Sequence, residues 1–318
     1  MATPGGSMVL DRTARPDVLP TDRLLATGMA RPDLRRDLRR IDDGRNAVTV
    51  ASLWIFVVAI VGGAVWVGTW WSYLIAFALM GPMYTRFAIL MHESAPKLLF
   101  TNKRVNDWVG TWLIAYPAFT PIQLYRRGHF AHHREEFGPE EPDLAFYGGY
   151  RCDRATLRRR LWRDAVGISG WKNFVALLRA LKVPAARRVV AAILAVQVML
   201  WAASTAATGR IWIYPLLWWL PWMTQWRVLN RLRSIGEHGG LEASRDRRVT
   251  THSVRQSLVA RFWFVPYNTG WHLAHHVDMG VPWRNLPRFH GELVRAGYIG
   301  EGLTYPSYRA LWRALSSA

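Results

Sequence analysis

Four long apolar runs decide what this chain can fold into. They cover approximately residues 47–68, 72–91, 189–207 and 211–229. Each run is close to the ~20 residues that an α-helix needs to cross the hydrocarbon core of a bilayer. Only a few residues join the first run to the second and the third to the fourth, so each pair forms a hairpin. The sequence therefore predicts an all-α integral membrane protein with four transmembrane helices.

A fifth apolar stretch, residues 108–124, is shorter and contains Pro117 and Pro121. Because proline interrupts a helix, we expect an interfacial helix here that does not span the bilayer. This stretch belongs with the four runs to a predicted membrane domain, residues 47–318.

Residues 1–46 form a predicted cytosolic tail. Residues 1–20 are rich in Pro, Gly, Asp and Arg without periodicity, which predicts disorder. They also contain no apolar core of a secretory signal, so we expect insertion to rely on the later spans. Residues 21–45 place apolar side chains at roughly helical spacing among arginines. This pattern favours a helix lying on lipid headgroups or, equally well, a solvated linker.

The charge distribution predicts the orientation in the membrane. The chain has 41 Lys and Arg against 22 Asp and Glu, a formal net charge of +19. No nucleic-acid-binding motif accompanies this charge, and the arginines flank apolar runs, so anionic lipid explains it better than nucleic acid. The turns inside the two hairpins contain one basic residue, Arg210. By the positive-inside bias, both termini and the polar regions face the cytosol, where they form a helical cap.

Six of the ten histidines lie in two copies of the pattern His-x-x-His-His. The copies consist of His129, His132 and His133, and of His272, His275 and His276. Residues at positions i, i+3 and i+4 share one face of a helix, so three imidazoles of each copy can converge. Neutral imidazole is a ligand for iron, zinc, copper or nickel, and six ligands exceed the four positions of a structural zinc. We therefore predict two metals. His252 and His290 stand alone and are interpreted as structural.

Two further histidines lie at the predicted membrane surface. His92 ends the second run, close to Arg86 inside it, and His238 follows the fourth run. Polar groups at that depth are costly unless they line a site, so both are candidate ligands. Arg86, Glu93 and Glu237 are candidates for supporting positions around them. The segment His92-Glu93-x-x also suggests a zinc peptidase, but Pro96 occupies the place of its second histidine and excludes that class.

The order and spacing of these histidines resemble the membrane fatty acid desaturase family of bacterial type, from about Ala47 to Tyr298. The family's first box is matched by Met91 to Pro96, and the second and last boxes by the two His-x-x-His-His copies. A stretch from Arg233 to Gly240 is similar to the segment that carries a further family histidine. The resemblance implies a non-haem di-iron centre with eight ligands: His92, His129, His132, His133, His238, His272, His275 and His276.

Pro96 departs from that family's pattern, because a histidine normally stands at its position. Three explanations remain open. Water or a nearby carboxylate such as Glu93 fills the gap, one metal binds weakly, or oxidase activity has been lost. We favour the first, because every other ligand is retained.

The resemblance implies an O2-dependent oxidase acting on an unactivated C–H bond of a fatty acyl or lipid-like substrate, most simply a fatty acid desaturase in the bacterial inner membrane. Hydroxylation of a lipid or small metabolite and a non-catalytic role are the alternatives. A metal transporter is disfavoured, because few ionisable residues lie within the spans.

The chain contains no Rossmann fingerprint or iron–sulfur motif, so we expect a ferredoxin or similar carrier, with its reductase, to supply electrons. The carrier would dock on cytosolic arginines such as those in residues 154–163 and 245–248. Tryptophans of the fourth run either line an acyl tunnel or pack as membrane aromatics. They are Trp218, Trp219, Trp222 and Trp226.

Overall fold

The computed structural model of the chain describes residues 6–139 and 141–317. The first five residues of the predicted disordered tail lie outside the described residues, as do Glu140 and Ala318.

The described residues form mainly α-helices. In chain order these are α1 (Pro32–Leu38), α2 (Asp43–Val67), α3 (Trp70–Ser94), α4 (Lys103–Trp108), α5 (Ile122–Arg134), α6 (Leu144–Tyr147), α7 (Arg154–Ala165), α8 (Ile168–Arg179), α9 (Pro184–Thr208), α10 (Leu220–Met223), α11 (Gln225–His238), α12 (Arg247–Thr250), α13 (Leu258–Trp263), α14 (His272–Val277), α15 (Leu286–Arg295) and α16 (Tyr308–Leu315). Short 3-10 turns cover Arg12–Ala14 and Ala180–Lys182, and π-helical turns cover Val109–Ala115 and Pro215–Trp219. Two short strands, β1 (Ser253–Val254) and β2 (Thr304–Tyr305), pair in parallel.

Helices α2, α3 and α9 are long and apolar enough to cross a membrane. Local sequence sets their ends. The Asp42 carboxylate accepts a hydrogen bond from the Arg45 amide at the start of α2, and Gly68 ends that helix with a φ of 71°. Gly209 ends α9 in the same left-handed conformation, which glycine adopts without steric cost. The prediction of a mainly helical protein is confirmed, and three of the four predicted runs form helices that could span a membrane.

The fourth apolar run is not one regular helix. It contains the π-helical turn Pro215–Trp219, the short α10 and a break at Thr224, after which α11 begins. Proline lacks a backbone donor and clashes with the preceding turn, so Pro215 and Pro221 explain the irregularity. This run was predicted as a regular span, and its interruptions are visible in the sequence.

The chain divides into two compact units. The membrane unit comprises Asp42–Tyr125 and Arg159–Asn230 and holds the three long helices. In it, Ala64 and Ala76 of the first hairpin pack against Ile213 and Leu217. The apolar stretch 108–124 consists of the end of α4, a π-helical turn and a sharp reversal at Phe119, which has a φ of 60°.

The histidine unit comprises Met1–Ile41, Arg126–Arg158 and Arg231–Ala318. Its core contains apolar side chains from residues 21–45, the segment whose spacing favoured a helix on lipid headgroups or a solvated linker. Leu34 and Leu38 of α1 are buried together with Leu273 of α14 and Phe289 of α15. The apolar face of the N-terminal segment is thus covered by protein, and the segment supports the helix that carries the last histidine box.

Candidate metal centre

Helices α5 and α14 present the two histidine triplets inside the histidine unit. Because each triplet occupies positions i, i+3 and i+4 of a helix, its side chains project from one face. All six side chains are buried. Buried imidazoles at this density are expensive to desolvate unless they share a common partner.

The first group of facing nitrogens comes from three helices. It consists of His132 of α5, His238 of α11, and His272 and His276 of α14. One nitrogen of each lies within 4.8 Å of the corresponding nitrogen of every other. The Nε2 atom of His272 lies 3.1 Å from Nε2 of His238 and 3.0 Å from Nε2 of His276. Four ligands at this spacing match the first coordination shell of a transition-metal ion.

The opposite ring nitrogen of each histidine in this group faces an acceptor. Nδ1 of His238 donates to the Thr250 carbonyl at 2.8 Å, and Nδ1 of His132 donates to the Glu141 carboxylate at 2.9 Å. Nδ1 of His276 donates to Glu136. Nδ1 of His272 lies 3.6 Å from the carboxylate of Glu237, which is beyond hydrogen-bond distance. The other three acceptors fix the tautomer of His238, His132 and His276 that leaves the Nε2 lone pair for a metal.

The protonation states of His238 and His276 agree with that arrangement. Burial holds the pKa of His238 and of His276 well below the usual range, so both rings are neutral at pH 7. With Nδ1 protonated, their Nε2 atoms carry lone pairs that both approach Nε2 of His272. A cation between them removes the repulsion that these lone pairs would otherwise exert, so the donors fit a metal.

His132 behaves differently because of its carboxylate partner. Burial alone would lower its pKa, but the hydrogen bond to Glu141 and the charge of that carboxylate outweigh the burial and raise the pKa. Burial also raises the pKa of Glu136 and of Glu237, the two other carboxylates beside these histidines.

A second group of nitrogens lies beside the first. It consists, within the histidine unit, of His129, His133 and His275. Nε2 of His133 lies 2.9 Å from Nε2 of His275, and the ligand nitrogens of all three lie within 4.8 Å of one another. The rings of His133 and His276 stack with their centres 4.2 Å apart, so the two groups are neighbours. Two adjacent sets of imidazoles are suited to two metal ions.

His92 lies in the membrane unit, in the last turn of α3, and is partly buried. Glu93 beside it is buried. Pro96 comes after the end of the helix, which Ala95 caps, so the position four residues after His92 offers no ligand atom. Arg86 lies on the same helix and donates to the Pro82 carbonyl at 3.0 Å.

The two histidines interpreted as structural have ordinary partners. Nε2 of His252 donates to the Gly239 carbonyl at 2.8 Å. The ring of His290 stacks on Trp271 with 3.9 Å between ring centres. Neither belongs to the two groups of facing nitrogens.

Sequence reasoning missed two carboxylates that the structure places against the histidines. Glu136 lies four residues after His132, in the turn that follows α5, and is held by Arg247 as well as His276. The spacing His-x-x-His-His-x-x-Glu is a signal that could have identified it. Glu141 follows a loop, and no sequence periodicity pointed to it.

The tryptophans of the fourth run occupy different surroundings within the membrane unit. Trp218 lines an apolar groove of about 600 Å³ together with Trp54 of α2 and Leu200 of α9. Trp222 packs on Phe119 with ring centres 4.3 Å apart.

These features define a helical protein with helices apolar enough to span a membrane and a histidine-rich candidate metal centre. Comparison with known proteins gives the family. The sequence matches the family model described as fatty acid desaturase over residues 68–309, and the chain therefore belongs to that family.

Three curated relatives are desaturases. The chain is 24% identical over 230 residues to dihydrorhizobitoxine desaturase of Bradyrhizobium elkanii, covering 67% of this chain and 65% of the relative. It is 24% identical over 261 residues to the chloroplastic omega-6 fatty acid desaturase of Spinacia oleracea, covering 76% and 56%. It is 21% identical over 302 residues to sn-1 oleoyl-lipid 12-desaturase of Arthrospira platensis, covering 87% and 83%. The chain thus spans less than two thirds of the length of the first two relatives.

Proposed function

We propose that this protein is a membrane-bound, O2-dependent di-iron oxidase that acts on an unactivated C–H bond of a lipid-like substrate, most simply as a desaturase. The observation that carries the proposal is the pair of adjacent imidazole groups, with Nε2 atoms about 3 Å apart. Carboxylate or carbonyl acceptors lie behind three histidines of the first group. Family membership supports the same reaction class.

The histidines divide between two iron ions in this proposal. One ion is held by His132, His238, His272 and His276, and the other by His129, His133 and His275. His92 is included as a ligand of the second set because of its position in the family's first box. When bound, the iron pair supplies O2 activation and removal of hydrogen from the substrate.

Neighbouring carboxylates hold the histidines in the tautomer that can bind metal. Glu136 and Glu141 hold the Nδ1 protons of His276 and His132, so that Nε2 remains available. Glu237 lies 3.6 Å from Nδ1 of His272 and is itself bound by Arg233 at 2.8 Å. Because Pro96 presents no ligand, we propose that water or Glu93 completes the set near His92.

We further propose the orientation that the charges predict. Four segments cross the bacterial inner membrane, the broken fourth run being the last. Both termini and the histidine unit face the cytosol, where the histidine unit forms a helical cap. A cytosolic site gives soluble electron carriers access to the centre.

A ferredoxin or similar carrier, with its reductase, is proposed as the electron donor. Exposed arginines of α7 support this, since acidic carriers are steered by positive surfaces. They are Arg154, Arg158, Arg159 and Arg163. The second predicted docking segment, residues 245–248, exposes fewer arginines than its sequence suggests. Arg247 binds Glu136 and Arg248 is buried against Asp246, which leaves Arg245 exposed.

The relatives indicate the range of substrates. Two are named for fatty acyl or acyl-lipid substrates, and one for the compound dihydrorhizobitoxine. We propose a fatty acyl chain or a small metabolite with a comparable saturated segment.

The test compares lipids and metabolites by mass spectrometry in cells that express the protein or a variant, with an active ferredoxin chain. A product two hydrogens lighter than its precursor indicates desaturation, and one heavier by an oxygen atom indicates hydroxylation. His132→Ala should abolish the product, whereas the matched variant His290→Ala should retain it. No new product from the wild type would favour a non-catalytic family member, for which Pro96 is the motivating observation.

A further inference from the structure

Arg227 places a guanidinium group inside the membrane unit with donors that the protein does not use. It lies in the first turn of α11, within the fourth apolar run. Its Nε and Nη2 atoms are buried, and none of the residues that the structure describes accepts a hydrogen bond from either atom. Buried donors on a charged group are costly when they are unpaired, so this edge is suited to an anionic partner.

The geometry of the guanidinium specifies the kind of anion. Nε and Nη2 belong to one edge of the group, where two N–H bonds run parallel and match the two oxygens of a carboxylate. The face of the group is occupied, since its central carbon lies 4.2 Å from the centre of the Trp222 ring. Stacking of this kind fixes the plane and leaves the edge for a ligand.

The carboxylate of Asp164 does not fill that edge. It acts on Arg227 electrostatically, but it accepts a hydrogen bond from the Ser169 hydroxyl, and Nε and Nη2 stay without an acceptor. Arg227 as a whole is only partly buried, so its exposed atoms are ones other than Nε and Nη2.

The Nε and Nη2 edge of Arg227 lies near α3, the helix whose last turn carries His92. Arg227 is within electrostatic range of Tyr84, and the neighbouring Gln225 side chain contacts α3 at Gly81. Gly81 and Tyr84 are three residues apart and share one face of α3. Tyr84 precedes His92 by two turns of the helix, about 12 Å along its axis. Arg227 therefore lies beside the same helix that carries His92.

We propose that Arg227, backed by Trp222, binds the free carboxylate of the substrate. This inference rests on the proposed function and names its substrate class: an amphipathic carboxylic acid rather than an acyl chain esterified in an intact lipid. An esterified chain has no carboxylate for the Nε and Nη2 edge.

Equilibrium binding tests the inference without turnover. The purified protein is placed in phosphatidylcholine nanodiscs and titrated with radiolabelled laurate and with methyl laurate. Arg227→Leu should bind laurate about tenfold to a hundredfold more weakly than the wild type, the range expected for hydrogen bonds to a charged group. Its affinity for methyl laurate should not change. Arg227→Lys should bind laurate with intermediate affinity, because it keeps the charge and loses the paired donors.

Arg187→Leu is the matched control, since Arg187 is an exposed arginine in the first turns of α9. It should bind both probes like the wild type. Equal laurate affinity in the wild type and Arg227→Leu would overturn the inference. It would also be overturned if Arg227→Leu lost as much affinity for methyl laurate as for laurate.

A lipid phosphate shares the anion chemistry and is distinguished by native mass spectrometry. Phosphatidylglycerol retained by the wild type and lost in Arg227→Leu, with laurate binding unchanged, would assign the edge to a lipid headgroup and overturn the substrate claim. A protein that binds laurate through Arg227 but forms no oxidised product would contradict the proposed function alone.

Discussion

Glu136 binds two partners at once: its carboxylate accepts a hydrogen bond from Nδ1 of His276 and another from the guanidinium of Arg247. Both Glu136 and His276 are buried. A buried carboxylate fixed in this way holds the imidazole in one tautomer and one orientation. The position of the His276 lone pair therefore depends on a residue outside every histidine box.

Glu136→Gln should weaken iron binding without removing a ligand. The amide keeps the shape but not the charge that supports His276, and loss of such a partner typically costs about 10- to 100-fold in metal affinity. Competition with a chelator, followed by measurement of bound iron, gives the affinity. Glu135→Gln is the control, because Glu135 is the adjacent carboxylate and is exposed. Equal iron retention by the two variants would show that Glu136 does not support the centre.

Replacing both Arg35 and Arg39 by Ala should loosen the last histidine box. Both arginines bind Asp278, which caps α14, at distances of 3.0 and 2.6 Å. Without them a buried carboxylate loses two partners, so hydrogen exchange in α14 should accelerate. Arg36→Ala is the control, since Arg36 lies on the exposed side of α1. Unchanged exchange in the double variant would mean that apolar packing alone holds α14.

Lowering the pH should loosen the N-terminal segment, because protonation of Glu292 weakens its ion pair with Arg23. The hydrogen bond from Arg23 lowers the pKa of Glu292 below its ordinary value of 4.5. Because the folded pKa is depressed, this contribution to stability is complete above that ordinary value and is lost as the pH falls through the folded pKa. Hydrogen exchange of residues 21–31, corrected for intrinsic rates, should therefore rise as the pH falls below about 4.5. Glu292→Gln should lack this component, and an identical response in that variant would refute the assignment.

Gly170→Ala should destabilise the membrane unit. A Cβ at this position would lie 2.1 Å from the backbone oxygen of Met223, so the backbone itself would have to shift. Overpacking of this kind costs about 1–3 kcal/mol. Gly62→Ala serves as the comparison, because no atom lies within 4 Å of its added Cβ and alanine favours a helix. Thermal unfolding in detergent should show a lower midpoint for the first variant and an unchanged or higher midpoint for the second.

The apolar runs and histidine spacing were sufficient to predict much of this fold. Length and hydropathy predicted α2, α3 and α9, because a spanning helix must be long and uncharged. The i, i+3, i+4 spacing predicted that each triplet shares a helical face, and the structure places those faces together. Two long-range features were not predictable. Glu141 reaches His132 from a loop, and α1 packs against α14. Each depends on tertiary packing rather than on local periodicity.

Iron content is the most direct test of the central claim. The purified wild-type protein, reconstituted with ferrous iron under anaerobic conditions and freed of loosely bound metal, should contain two iron ions per chain by mass spectrometry of the metal. The two groups of imidazoles predict this value, and Pro96 does not reduce it if water or Glu93 completes the set. One iron ion per chain, or none, would contradict the di-iron account.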